Sequence, residues 1–220
     1  MKTQFSRRSF LKTTAATGAG VALISAGLVS VDKMAQAAVV SDAEKYGMVI
    51  DNTKCIGCGL CQKACNKQWD LPEEETFIKL YKDYPVGDQT ENMTSQCNHC
   101  ENPPCAKICP TQATHLNDYG IMVMDNKKCI ACKGCMAACP YNARIWSEKY
   151  QTPEKCRFCD GYVQGGHKPA CVVICPVGAR TFGDLNDPES TISKMLVEEN
   201  LVTLRPELGT KPKLYYKRKN

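Results

Sequence analysis

Cysteine occurs sixteen times in this 220-residue chain, and every one falls into a set of four. The sets are Cys55, Cys58, Cys61, Cys65; then Cys97, Cys100, Cys105, Cys109; then Cys129, Cys132, Cys135, Cys139; then Cys156, Cys159, Cys171, Cys175. The first and third read C-x2-C-x2-C-x3-C. In every set the last two cysteines are four residues apart, which on a helix is one turn along a single face. Pro110, Pro140 and Pro176 follow the last cysteine of three sets, and proline cannot continue a helical ladder. Thiols so numerous and so closely spaced have to be bonded to one another or to metal.

The C-x2-C-x2-C-x3-C run is the bacterial-ferredoxin pattern, in which three cysteines hold one [4Fe–4S] cluster and the fourth ligates a neighbouring one. Sixteen thiolates at four per cluster make four clusters with no cysteine left over. A short loop can wrap three corners of the anionic cubane while its backbone N–H groups turn inward as a nest. The i, i+4 pair can then serve two clusters. Zinc sites want two well-separated cysteine pairs, not three cysteines in seven residues followed by a fourth and a proline. Disulfides would suit an exported cysteine-rich chain, but the export signal argues against them.

That signal is the segment Ser6-Arg7-Arg8-Ser9-Phe10-Leu11-Lys12, a twin-arginine signature. A weakly apolar stretch follows from about Ala15 to Val31, then Ala35-Gln36-Ala37, a small-x-small cleavage site. The stretch is short of the ~20 residues a spanning helix needs and is rich in Ala, Gly and Thr. Cleavage after Ala37 is expected rather than a retained anchor. The twin-arginine route carries folded, cofactor-loaded proteins, so cluster assembly is expected in the cytoplasm and the mature protein in the periplasm.

The formal charge of +5 comes mostly from this leader. Residues 1–37 hold five basic side chains (Lys2, Arg7, Arg8, Lys12, Lys33) and one acid (Asp32), leaving 23 basic against 22 acidic in the remainder, or +1. A thiolate-ligated oxidised cluster carries about −2, so four would bring the loaded protein to about −7. Nothing here supports nucleic-acid binding. The basic tail from Lys211 to Lys219 reads as a solvated end or docking strip.

Along the mature chain, YGMVID at 46–51 reads as a strand feeding the first cysteine loop, where Gly57 and Gly59 supply tight turns. IMVMD at 121–125 precedes the third set in the same way, an internal repeat implying two related halves. Residues 70–96 form an insert without clear periodicity. The eleven residues between Cys159 and Cys171 read as a glycine-rich surface loop. One amphipathic helix is expected over 184–200, with Ile192, Met195 and Leu196 on one face, and a final strand over 211–216. The expected fold class is α+β: duplicated bacterial-ferredoxin-like domains with pseudo-twofold symmetry, short strands and helices around four iron–sulfur clusters. The expected segments are a signal peptide at 1–37, a double ferredoxin-like four-cluster domain at 38–183 and a C-terminal helix/strand docking extension at 184–220. Without metal the chain should be largely unfolded, because ligand binding supplies the folding energy.

The segments QCNHCENPPCAKICPTQA, KKCIACKGCMAACPYNAR, KCRFCDGYVQGGHKPACVVICPVGARTFGDLNDPES and GTKPKLYY resemble the four-cluster iron–sulfur subunits of respiratory membrane complexes. That family includes the NrfC-type subunit of formate-dependent nitrite reduction and the β-subunits of dimethyl sulfoxide, polysulfide, thiosulfate and tetrathionate reductases. The resemblance spans nearly all of residues 46–216 and implies crossed ligation. One cluster takes Cys55, Cys58, Cys61 and Cys175; a second takes Cys156, Cys159, Cys171 and Cys65. A third takes Cys97, Cys100, Cys105 and Cys139; the fourth takes Cys129, Cys132, Cys135 and Cys109. The first set ends Cys65-Asn66 in place of Cys-Pro, so its helix is expected to run on to Gln68.

The resemblance also implies partners. The electron source is an NrfD-type integral membrane quinol-oxidising subunit, and the sink a multihaem cytochrome or a molybdopterin catalytic subunit. The chain itself has no haem or pterin motif, so it is expected to be a non-catalytic electron-transfer subunit, peripheral on the inner membrane. A multihaem cytochrome crosses unfolded and cannot carry a folded partner, so a private leader leans toward the nitrite-reductase-like role. The alternatives are a molybdopterin-enzyme β-subunit and an independent soluble polyferredoxin. His99 is expected to fill the second loop, His115 and His167 to lie at the surface, and Trp69 and Trp146 to pack.

Overall fold

The computed structural model describes residues 44–219. The leader and its cleavage site lie outside the described residues. YGMVID forms strand β1 (Tyr46–Asp51), buried along its whole length. Its apolar residues are continuous rather than alternating because both faces are covered; Met48, Val49 and Ile50 are sealed from solvent. β1 is the middle of a three-stranded sheet. On one side it pairs antiparallel with β8 (Arg180–Asp184), Ile50 opposite Arg180. On the other it pairs parallel with β9 (Leu214–Lys217), Met48 opposite Leu214. The expected last strand is therefore an edge strand of the central sheet, and the described residues belong to one unit.

Among the described residues the other strands pair as three hairpins: β2 (Lys79–Val86) with β3 (Gln89–Ser95), β4 (Thr114–Leu116) with β5 (Met122–Met124), and β6 (Arg144–Ser147) with β7 (Thr152–Lys155). The first occupies the insert that sequence periodicity left without structure. Its two-residue turn, Gly87-Asp88, uses a glycine with φ +55°.

Helices α2 (Pro104–Lys107), α3 (Gly134–Ala137) and α4 (Ala170–Val173) each last four residues. The cysteine before each Cys-Pro bond is steered away from helical dihedrals, so the helix stops there. Beyond the proline all three segments repeat one course. A residue with positive φ (Gln112, Asn142, Gly178) is followed by a buried alanine (Ala113, Ala143, Ala179) and then a strand. Helix α1 (Leu60–Trp69) has Asn66 where the others have proline, and it runs for ten residues. Asn66 Nδ2 donates to Pro72 O (3.1 Å) and Glu75 O (3.0 Å), tying down the chain that leaves the helix.

The C-terminal helix α5 (Thr191–Glu198) is shorter than expected. Asp184 ends β8, and the helix starts only after Pro188, with Ser190 Oγ accepting from Ser193 N at 3.2 Å. Ile192 is fully buried against β8.

Candidate metal centres

Helix pairing brings the cysteine sets together. α1, carrying Cys61 and Cys65, packs on α4, which carries Cys171 and leads to Cys175. α2, with Cys105, packs on α3, with Cys135. The result is four foursomes. Cys55, Cys58, Cys61 and Cys175 line one cavity, together with Arg180. Cys97, Cys100, Cys105 and Cys139 line a second, together with Asn98 and Arg144. Cys109, Cys129, Cys132 and Cys135 line a third. Cys65, Cys156, Cys159 and Cys171 are all buried and act on one another electrostatically.

The loops share one construction. The first cysteine of each set (Cys55, Cys97, Cys129, Cys156) receives the backbone N–H two residues on, from Gly57, His99, Ala131 or Phe158. Those four donors all have left-handed φ, between +45° and +67°. The nest is thus built with glycine once and with side-chain-bearing residues three times. Ala179 N similarly donates to Cys175 Sγ at 3.3 Å.

Burial governs the thiols. It pushes Cys156 well above the ordinary range, helped by the charges of Cys65 and Cys171. It takes Cys100 up to about 12. At Cys109 burial also raises the pKa, but hydrogen bonds from the Thr114, Thr111 and Ala113 backbone and the Thr111 hydroxyl outweigh it, leaving the thiol below the usual range. Sulfurs raised in this way, such as Cys156 and Cys100, need a strongly bound cationic partner to become thiolates.

The residues present fit anionic cubanes. All sixteen cysteines are free thiols. Among the described residues no three His, Cys, Asp or Glu side chains are grouped closely enough to share one metal ion. A single zinc draws its sulfurs to about 2.3 Å, whereas a cubane takes one thiolate at each of four separated irons. Beside the Cys97 cavity, Arg144 and Asn98 are buried donors within its lining, Arg144 against Cys105 and Asn98 against Tyr141. An anion in that cavity would receive them.

His99 fills its loop, as expected. It is fully buried, stacks on Phe158 with ring centres 3.6 Å apart, and accepts from Met122 N at Nδ1 (3.0 Å). Burial, together with the charges of Lys155, Lys213 and Arg144, drives its pKa well down, in keeping with an acceptor nitrogen. His115 and His167 are exposed. Trp69 hydrogen-bonds Cys159 and lies under Arg157, and Trp146 lies under Lys133.

Sequence reading missed the buried polar shell: Arg144, Arg180, Lys155 and Gln96. Arg180 Nη1 reaches Cys171 Sγ (3.7 Å) and Gln96 Oε1 (2.8 Å), and Gln96 Nε2 reaches Cys156 Sγ (3.6 Å). A signal was present, because C-P-x-x-A-R occurs at both Cys139–Arg144 and Cys175–Arg180.

The family profile described as "4Fe-4S dicluster domain" matches residues 89–185, and "4Fe-4S binding domain" matches residues 46–67. The B subunit of tetrathionate reductase from Salmonella typhimurium is 37% identical over 218 residues, covering 96% of this chain and 87% of its own. The B component of polysulfide reductase from Wolinella succinogenes is 41% identical over 79% of this chain and 94% of its own. The protein NrfC of Escherichia coli is 36% identical over 96% and 94%. The chain belongs to the ferredoxin-type [4Fe–4S] subunits of respiratory oxidoreductases. The iron–sulfur subunit is accordingly an electron-transfer component and not the catalytic one. Residues 4–23 match the twin-arginine translocation signal profile, which addresses the iron–sulfur subunit to the periplasm. Among its described residues no helix is long and apolar enough to cross a membrane.

Proposed function

We propose that the chain conducts electrons through four [4Fe–4S] clusters held by crossed foursomes, between an NrfD-type quinol-oxidising membrane subunit and a terminal reductase. The observation that carries this reading is the company Cys175 keeps. It lines the cavity of Cys55, Cys58 and Cys61, more than a hundred residues away in sequence, rather than that of its own set. The same crossing recurs for Cys139 and Cys109. It supports two ferredoxin-like halves, sets one and four in one and sets two and three in the other, related by a pseudo-twofold axis.

Cys58 and Cys132 are the exposed cysteines among the sixteen. Each lies beside an isoleucine left largely in solvent, Ile56 (59%) and Ile130 (61%). They belong to opposite halves, so the reading places one electron port at each end. The segment 184–220 serves docking as well as closing the sheet, and residues 1–37 are the cleaved leader. The B components of tetrathionate and polysulfide reductases and the protein NrfC match at similar identity, which leaves the terminal partner open on identity alone. The private leader therefore tips the terminal partner toward a multihaem cytochrome.

Cysteine-to-serine changes test the crossing. Cys65→Ser should damage the cluster of Cys156, Cys159 and Cys171 and spare that of Cys55, Cys58 and Cys61; Cys175→Ser should do the reverse. Electron paramagnetic resonance during a redox titration reads which signal is lost. If Cys65→Ser removes the cluster of its own loop, the crossed arrangement is wrong.

A further inference from the structure

We propose that Arg180, Lys155 and Arg144 are fixed counter-charges, one at each junction between successive foursomes, which raise the potentials of the two clusters each one separates. The inference rests on the crossed foursomes proposed above.

Each cation touches both sides of a junction. Arg180 is 6% exposed and lines the cavity of Cys55, Cys58, Cys61 and Cys175. Its Nη1 lies 3.7 Å from Cys171 Sγ, in the neighbouring foursome, and its Nη2 donates to Thr94 Oγ1 at 2.6 Å. Lys155 is sealed from solvent between that foursome and the next. Its Nζ donates to the carbonyl of Cys156 on one side (3.1 Å) and of Met122 on the other, where Met122 lines the Cys97 cavity. Arg144 is 4% exposed and lines the Cys97 cavity. Its Nη2 donates at 2.7 Å to Thr114 Oγ1, and Thr114 lines the cavity of Cys109, Cys129, Cys132 and Cys135.

Among the described residues none of the three has a carboxylate within ion-pairing distance. Their acceptors are sulfurs, hydroxyls, an amide and carbonyls. A buried cation without a counter-ion is strongly disfavoured. Three of them in line imply anions of another kind beside them, and thiolate-ligated cubanes are such anions. Arginine keeps its charge throughout the accessible pH range.

The physical effect has a definite sign. An added electron makes a cluster more negative, so a nearby fixed cation favours the reduced form and raises the potential. A cation at a junction acts on both neighbours. It also offsets their mutual repulsion when one is reduced and the other oxidised by a single electron.

The test needs no prior assignment of signals to clusters. Holoprotein purified without oxygen is titrated with redox mediators under electron paramagnetic resonance, for Lys155→Met, Arg180→Gln and Arg144→Gln. Each variant should lower two of four potentials, by tenfold or more in electron affinity, which is about 59 mV for one electron. The pair moved by Lys155→Met should share one member with the Arg180→Gln pair and the other with the Arg144→Gln pair, and those two pairs should share none. Equal shifts of all four, a shift of only one, or no shift would overturn the proposal. Lys155→Arg, Arg180→Lys and Arg144→Lys should hold their potentials near the wild type. Where a neutral variant loses iron, retention by its charge-keeping partner supports the proposal and loss from both overturns it. Fewer than four clusters in the wild type would instead count against the ligation reading itself.

Discussion

Four residues do the same job in the four cysteine loops, and only one of them is glycine. Gly57, His99, Ala131 and Phe158 each turn a backbone N–H onto the first sulfur of their set from a left-handed conformation. A side chain there costs about 1–2 kcal/mol. At Gly57 there is a second constraint: an added Cβ would sit 2.7 Å from Asn92 Oδ1, and Asn92 Nδ2 holds Cys55 O at 3.1 Å. Ala131 is exposed. Ala131→Gly should therefore raise the midpoint of anaerobic thermal unfolding, by ~1 kcal/mol of stability. Gly57→Ala should lower it and loosen iron from the first loop. The four cysteine sets stand out in the sequence by their spacing alone. The left-handed positions were legible only where glycine marked one. The buried Arg144, Arg180 and Lys155 were invisible to the usual expectation that charges stay outside. They sit inside because of anions that are not part of the chain.

Among the elements, β1 was readable because a continuous apolar run has few other uses, and α1 because asparagine replaces the proline that stops α2, α3 and α4. The β2–β3 hairpin was not. The middle of β2, Tyr81 to Tyr84, is exposed and polar or aromatic, and a register shift between Tyr81 and Tyr84 breaks the alternation that would reveal a strand. The helix expected over 184–200 was overextended because β8 continues through Asp184 into the polar turn before Ser190. β9 carries an element-scale prediction. Leu214 and Tyr216 are fully buried beside β1, and burying two such side chains contributes about 3–6 kcal/mol. A domain's whole stability is about 5–15 kcal/mol. A chain ending at Lys213 should consequently fail to hold its iron and should be cut rapidly by protease, whereas the full chain resists. Iron per chain and a limited-proteolysis time course read both outcomes.

At the scale of the whole molecule, the leader and the clusters make a joint prediction. Arg7→Lys with Arg8→Lys should strand the protein in the cytoplasm, since the arginine pair is read as an address. The stranded protein should still carry about 16 iron and 16 sulfide, from four cubanes. Cell fractionation with iron and sulfide analysis decides, and periplasmic delivery of the double variant would show that the leader works by another route. The parallel pairing of β1 with β9 has a further consequence, in time rather than in space. The ribosome makes β1 (Tyr46–Asp51) long before β9 (Leu214–Lys217), with all four cysteine sets between them. A nascent chain therefore cannot close its central sheet until β9 has been translated. A chain cut short before β9 by a stalled ribosome or a premature stop never closes it, so synthesis of that one late strand decides whether the first strand finds its neighbour.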